Sequence, residues 1–191
     1  MKRLDPKFQS WMTKPETQAV MAALGGQARF VGGAVRNALL RQPVTEVDIA
    51  TPLLPDEVTR RLQAANLKAL PTGIEHGTVT AIANGVPHEI TTLRRDVSTD
   101  GRRATVAFTT DWKEDAARRD FTMNALYATT EGEIFDYFGG IADLEAGRVR
   151  FVGDATTRIR EDYLRSLRLF RFHAWYGRGE IDNEALRAAA S

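Results

Sequence analysis

The stretch from Arg29 to Thr51, RFVGGAVRNALLRQPVTEVDIAT, restricts the fold more than any other part of the chain. Phe30 and Val31 read as the end of a buried strand, Gly32-Gly33 as a tight turn and Ala34 to Leu40 as a helix. Glu46-Val47-Asp48-Ile49 then alternates acidic and apolar residues, as a half-buried strand does. Successive strand side chains point to opposite faces, so Glu46 and Asp48 share one face while Val47 and Ile49 enter a core. Strand, glycine turn, helix and strand thus follow in immediate succession.

The same stretch suggests chemistry. Glycines at a strand-to-helix turn let backbone N–H groups approach a phosphate, and the helix N-terminus adds a favourable dipole. Arg36, on the first turn of that helix, offers a forked guanidinium for phosphate oxygens. Two carboxylates on one strand face repel each other unless a cation lies between them, and oxygen ligands beside phosphate suit Mg²⁺. Taken singly, a Gly-Gly pair is more often only a turn and an acidic-x-acidic pair only a solvated strand face. Their order and spacing favour the chemical interpretation.

Bulk properties set the bounds. With 191 residues the chain can bury one sizeable core, and at 43% hydrophobic content it has no apolar run long enough to span a bilayer. The N-terminal MKRLDPKFQSW lacks an apolar segment after its basic residues, so the expectation is a cytoplasmic protein without a membrane partner. Zero cysteines exclude disulfides, thiolate nucleophiles and cysteine-based zinc sites. A net charge of +1 gives no global case for nucleic acid, but between Arg148 and Arg178 eight arginines face three acids, a local balance of +5.

Along the rest of the chain, Leu4 to Leu24 has roughly helical spacing interrupted by Pro15, and Pro55-Asp56-Glu57 starts a helix through about Ala65. Thr78 to Ala83, Asn84-Gly85 and Val86 to Leu93 spell a hairpin, with Glu89 placed to join the acidic face of Glu46 and Asp48. His76 and His88 are lone histidines near turns and more often structural. Leu93 to Asp111, centred on Asp100-Gly101, reads as a long mobile loop or an irregular hairpin. Glu114 to Leu126 reads as one amphipathic helix, in which Asp120 and Asn124 at i,i+4 share a face able to hold a ribose. Glu133 to Tyr137 and Arg148 to Val152 read as short strands. Gly139 to Leu144 turns into a helix, with Asp143 as an N-terminal anchor. Thr156 to Tyr176 reads as a helix whose polar side carries Glu161, Asp162, Arg165 and Arg168, a pattern that in general marks a solvated ion-pair face. Ile181 to Ser191 is an incipient helix with no completed apolar face.

Three strings carry a resemblance to a known family: GGAVRN-A-LL followed by EVDIAT, RRDFTMNAL at Arg118 to Leu126, and ATTRIREDYLRSLRLFRF at Ala155 to Phe172. Their order and content resemble the class II tRNA nucleotidyltransferase (CCA-adding enzyme) and bacterial poly(A) polymerase family. The resemblance covers roughly Arg29 to Tyr176. It implies an α/β, polymerase-β-like head over residues 1–153, with a mixed, largely antiparallel sheet of about five strands flanked by helices. The start of a helical neck follows over 154–191, and body and tail domains that grip the tRNA are missing from this chain. The implied reaction is template-independent addition of CMP and AMP, from CTP and ATP, to the 3′ end of tRNA. Glu46 and Asp48 would hold two Mg²⁺ ions, with Glu89 bracing them. The resemblance further implies that Gly32, Gly33 and Arg36 cradle the triphosphate and that Arg119, Asp120 and Asn124 contact sugar and triphosphate. Asp162 and Arg165 would present hydrogen-bond edges to cytosine or adenine, with Arg168 and Arg171 further along toward the triphosphate. The undiminished 93–111 segment matches a family loop that helps switch from C to A, which speaks against addition of CC alone.

Two departures stand out. Glu46 occupies the place where many family members have Asp, one methylene shorter, and Asn37 replaces a common Asp, removing a charge that could orient Arg36. A poly(A) polymerase, or an enzyme adding only A or CC, is the nearest alternative. A degenerate nucleotide-binding module is the alternative from another class.

Overall fold

The computed structural model describes residues 2–100 and 103–190. After a short 3₁₀ turn at Pro6–Phe8 come helices α1 (Ser10–Thr13) and α2 (Pro15–Ala23), strand β1 (Arg29–Val31), helix α3 (Gly33–Leu39) and strand β2 (Asp48–Thr51). Helix α4 (Pro55–Ala64) leads into β3 (Lys68–Gly73), β4 (Thr78–Ala83), β5 (Val86–Thr92), β6 (Arg94–Asp100) and β7 (Arg103–Phe108). Then follow α5 (Trp112–Ala117), β8 (Leu126–Ala128), β9 (Ile134–Asp136), α6 (Gly140–Ala146), α7 (Ala155–Glu161), α8 (Leu164–Tyr176) and α9 (Asn183–Ala189). None of these helices is long and apolar enough to cross a membrane.

Local chemistry explains several of these elements. Proline at the first position starts both α2 and α4, where its missing N–H costs nothing, and acids in the first turn favour the helix dipole. Val58 and Leu62, one turn apart, bury the inner face of α4. Asn84 at φ 48° and Gly85 at φ 79° make the tight turn that joins β4 to β5.

The sheet has seven strands in the order β3-β4-β5-β2-β1-β8-β9, two more than the sequence suggests, while β6 and β7 form a separate hairpin. All neighbouring pairs are antiparallel except β2 and β5. Residues such as Phe30, Ile49, Ile90 and Leu126 point to one face, where α2, α3 and α4 cover them to form the main core. Val31, Ala50 and Tyr127 point to the other, against Leu93 and Ala116. A further core joins Phe121, Phe151 and Phe172, with ring centroids 4.8 and 5.0 Å apart, to Ile159, Leu169, Ala185 and Ala188.

Five expectations need correction. Strand β2 starts at Asp48, so Glu46 and Val47 precede it: its partner β1 ends at Val31, opposite Asp48, because Gly32 turns the chain away. The helix expected over 114–126 ends at Ala117, because the Thr122 amide bonds to the Arg150 carbonyl (3.0 Å) and the Val152 amide to the Asp120 carbonyl (2.9 Å). These long-range bonds seat Phe121 opposite Phe151 in a single bridge, which is all that forms of the strand expected at 148–152. The helix expected over 156–176 breaks at Asp162, whose backbone is extended and whose Oδ1 accepts from the Leu164 amide at 3.0 Å. Finally, α9 does bury a face, through Ala185 and Ala188.

Two further details bear on the site. Of the two readings of 93–111, the irregular hairpin is the one found: it is largely the β6–β7 hairpin, with a register irregularity between Asp96 and Ser98, while Gly101 of its expected centre lies outside the described residues. Asp143 is buried within α6, where it accepts from Thr122 Oγ1 and Arg150 Nε, and the helix start is held by Asp136, which accepts from the Gly140 and Ile141 amides.

His88 is structural. It is 2% exposed, with Nδ1 3.2 Å from the Val86 carbonyl and Nε2 2.9 Å from Thr17 Oγ1. A carbonyl only accepts, so Nδ1 carries the proton and Nε2 accepts from the threonine hydroxyl. Burial holds the pKa of His88 below its ordinary value. The unfolded chain therefore takes up a proton near pH 6.5 that the folded chain refuses until lower pH. The stability from neutral His88 is fully present above about pH 6.5 and is lost as pH falls toward the folded-state pKa. Urea unfolding should show a lower midpoint at pH 5.5 than at pH 7.5, about a unit either side of the ordinary histidine value, and His88→Gln should shrink that difference.

Candidate active site

The sheet face not covered by α2, α3 and α4 carries the carboxylates. Asp48 opens β2 with Val31 opposite it on β1 and Glu89 beside it on the parallel strand β5, so both acids share a face. Glu46, two residues earlier and outside the strand, is exposed. Asp48 is exposed as a residue, yet partial desolvation of its carboxyl pushes its pKa up, and the charges of Glu89 and Glu46 push it further; Arg119 pulls the other way. Desolvation and like charge thus leave a carboxylate whose ionised form is favoured by a neighbouring cation.

The turn after β1 forms the next wall. Gly32 has φ 70° and ψ −126°, a conformation open to glycine and strained for any side chain. A Cβ there would lie 3.7 Å from the Asn124 carbonyl and 4.0 Å from Arg119 Nη1. Arg119 therefore reaches the glycine turn on one side and the field of Asp48 on the other. Gly33 is the first residue of α3, and the Gly32 amide donates to the Leu126 carbonyl at 3.1 Å.

Arg119 is held from behind by a residue that sequence reasoning missed. Asp115 is 1% exposed and takes Arg119 Nη2 on Oδ2 at 3.0 Å and Arg118 Nε on Oδ1 at 3.0 Å. The Tyr127 hydroxyl donates to Oδ2 at 2.7 Å, and the Arg94 amide at the start of β6 donates to Oδ1 at 3.2 Å. Burial alone would raise the Asp115 pKa, but the charges of Arg119 and Arg118 and the bonds from Tyr127 and Arg94 outweigh it and leave it lowered. Arg119 and Tyr127 are both shifted up: burial works against the Arg119 charge, which Asp115 and Tyr127 more than restore, and burial is also the main cause at Tyr127. The only sequence signal for this cluster was the i,i+3 and i,i+4 spacing of Asp115 with Arg118 and Arg119, which also describes an exposed helix pair.

Asp120 and Asn124 do meet, though not on a helix. Asn124 Nδ2 donates to Asp120 Oδ1 at 3.1 Å across the 3₁₀ turn Thr122–Asn124. Asn124 Oδ1 accepts from Arg36 Nη1 at 2.6 Å, and Asp120 Oδ2 pairs with Arg168 Nη2 at 2.5 Å. Arg36 is 8% exposed and lies over the Tyr176 ring, 4.3 Å from its centroid. These four side chains brace α3 against α8. Asn37 retains the orienting role that its missing charge put in question, since its Oδ1 accepts from Arg36 Nε at 3.1 Å while its Nδ2 donates to the Pro43 carbonyl.

The remaining sequence candidates lie on the C-terminal helices. Arg165 Nη1 donates to Glu161 Oε2 at 2.6 Å and to the Arg158 carbonyl at 3.0 Å, whereas Asp162 caps Leu164. Arg171 packs on Trp175, 5.4 Å from the ring centroid. The arginine-rich stretch is less free than its composition suggests, because Arg150, Arg158, Arg165 and Arg168 are engaged in internal ion pairs.

Removing Asp115 leaves two partly buried guanidinium groups without their anion. Asp115→Ala should lower the unfolding free energy by about 3–5 kcal/mol, measured by denaturant titration, well beyond the effect of Asp111→Ala at the α5 cap, about 1 kcal/mol.

Comparison with known proteins fits this geometry. Residues 28–150 match the model of the poly A polymerase head domain. Over its whole length the chain is 45% identical to the mouse mitochondrial CCA tRNA nucleotidyltransferase 1, of which it covers 45%. It superimposes with a TM-score of 0.77 on the Bacillus stearothermophilus CCA-adding enzyme in complex with CTP, at 36% identity, covering 92% of this chain and 43% of that one. A tRNA nucleotidyltransferase complexed with a primer tRNA and an incoming ATP analog gives a TM-score of 0.70 at 26% identity, covering 89% of this chain and 47% of that one. The chain spans less than half the length of each of these relatives. On both sequence and fold, it belongs to the poly A polymerase head-domain family, whose members include CCA-adding nucleotidyltransferases.

Proposed function

We infer that the chain is the catalytic head and first neck helices of an enzyme that adds CMP and AMP, from CTP and ATP, to the 3′ end of tRNA. The observation that carries this is Asp48 beside Glu89 on adjacent strands, with Arg119 between that acidic face and the Gly32 turn. The relatives solved with CTP, and with primer tRNA and an ATP analog, support the choice of substrates. The head would end near Asp154, which caps α7. Tyr163, Leu164 and Leu167, each more than 60% exposed, are surface that further helical domains would cover. A cytoplasmic setting is part of this reading, although the mouse relative is mitochondrial by name.

The acidic face fits Mg²⁺. Its donors are hard carboxylate oxygens, and at Asp48 desolvation, followed by the charges of Glu89 and Glu46, raises the pKa. Among the described residues no three His, Cys, Asp or Glu side chains stand in metal-holding geometry, so waters and phosphate oxygens would complete the coordination, as Mg²⁺ prefers. Glu46 and Asp48 would hold two ions, with Glu89 bracing Asp48. When bound, Mg²⁺ supplies Lewis acidity, favouring ionisation of the RNA 3′-hydroxyl and departure of pyrophosphate.

The chain's own groups do the positioning. The Gly32-Gly33 turn and Arg119 would hold the triphosphate so that the 3′-oxygen can bond to the α-phosphorus as the bond to the β-phosphate oxygen breaks. Asp120 and Asn124, engaged with Arg168 and Arg36, would set the spacing between phosphate and sugar. Arg171 would lie further along α8. Asp162 and Arg165 would read the base with the atoms not committed to Leu164 and Glu161. The family model's own description keeps poly(A) addition as the second reading.

The test is incorporation of labelled CTP and ATP into tRNA lacking its CCA end, beside unstructured RNA. Ordered addition of C, C and A on the tRNA alone is expected, lost in Asp48→Ala and retained in Glu46→Asp. A-only extension of unstructured RNA would establish the second reading.

A further inference from the structure

On the side of α3 away from the glycine turn, a cleft of about 880 Å³ runs between the N-terminal segment and the 41–44 loop, lined by Lys2, Arg3, Lys14 and Arg41. A second cleft, about 300 Å³, shares Lys2, Leu39 and Arg41 with it and carries on to Arg178. Five cations thus line one groove against two acids, Asp5 and Glu145. Glu145 pairs with Lys2 and offsets it, whereas Asp5 accepts only from the Lys7 amide and keeps its charge, so the groove carries a net excess of three cations. The Arg3 guanidinium donates to the Glu131 carbonyl, which neutralises no charge.

Two features distinguish this groove from an ordinary solvated surface. Phe8 stands at its edge 82% exposed, with a ring face that no core residue claims. Arg41 holds φ 57°, a left-handed backbone that glycine adopts freely and arginine does not. An arginine at the C-terminal end of α3 would complement the helix dipole, but a seven-residue helix presents about half a charge there, far less than the cations gathered. The floor is apolar, from Ala38, Leu39 and Val44, and the rim is cationic.

A cationic rim, an apolar floor and an exposed aromatic are the parts of a single-strand nucleic-acid track: phosphates follow the cations and an unpaired base stacks on the ring. A duplex would present only its phosphates and leave Phe8 without a partner. We propose that this groove binds single-stranded RNA, its backbone along Lys14, Arg41 and Arg178 and one base on Phe8. The choice of RNA as the anion rests on the nucleotidyltransferase reading, but the groove shares no residue with the acidic face.

Fluorescence anisotropy of a labelled, unstructured oligopyrimidine RNA, titrated with the full chain over a range of salt, tests this, with CTP binding measured on the same samples. Lys14→Gln and Arg41→Gln should each weaken binding and flatten the log–log salt dependence by about 0.7. Phe8→Ala should weaken it roughly tenfold. Arg41→Gly should raise the melting temperature by about 2–4 °C yet bind RNA less well, which a purely structural Arg41 would not do. CTP affinity should be the same in every variant. RNA affinity and salt slope unchanged across these variants would overturn the proposal. So would failure of the parent chain to bind RNA while anionic phosphatidylserine vesicles capture it through Arg41. Loss of CTP binding in the parent would count against the catalytic reading and not against the groove.

Discussion

A single buried carboxylate sets the architecture of the site. Asp115 on α5 gathers the guanidiniums of Arg118 and Arg119 just past that helix, a phenol from β8 and a backbone amide from the start of β6. A carboxylate taken out of water is costly, and it persists here because every approach to it is occupied by a donor. The result is positional: Arg119 reaches the Gly32 turn and the acidic face from a fixed anchor. The β6–β7 hairpin leaves the body of the protein from that same anchor.

A second chain of contacts, Arg36 to Asn124 to Asp120 to Arg168, joins α3 to α8. It crosses the place where Phe121 bridges to Phe151 and stacks near Phe172. Polar spacing and aromatic packing therefore meet in one short segment. The distance between the glycine turn and the helix proposed to read the base is set there.

The parts of the site legible in the sequence are those fixed by local patterns. Gly32-Gly33, the Asn84-Gly85 turn and the proline starts of α2 and α4 declare themselves through backbone preference, and the placement of Asp48 follows from strand periodicity. Glu46 was misplaced onto the strand because alternation says nothing about where the partner strand stops. The 118–126 segment has a helical pattern, yet its Thr122 amide and Asp120 carbonyl are taken by Arg150 and Val152, about thirty positions away, which no local propensity registers. Asp162 broke the expected helix by a bond of its own side chain to a nearby amide, a competition that periodicity does not weigh. Asp115 escaped notice because an acid spaced for ion pairs is the same letter whether solvated or buried; only burial decides.

The parallel pairing of β2 with β5 carries a consequence for assembly. Parallel neighbours cannot be joined by a tight turn, and here α4, β3 and β4 intervene before Glu89 arrives beside Asp48. The unfolded chain keeps these acids far apart, and the loop that unites them closes at an entropic cost before any ladder bond forms. A divalent cation held by this face would consequently bind the native sheet and not the coil. Its affinity would appear in full as resistance to unfolding, with metal concentration acting as a thermostat on the fold.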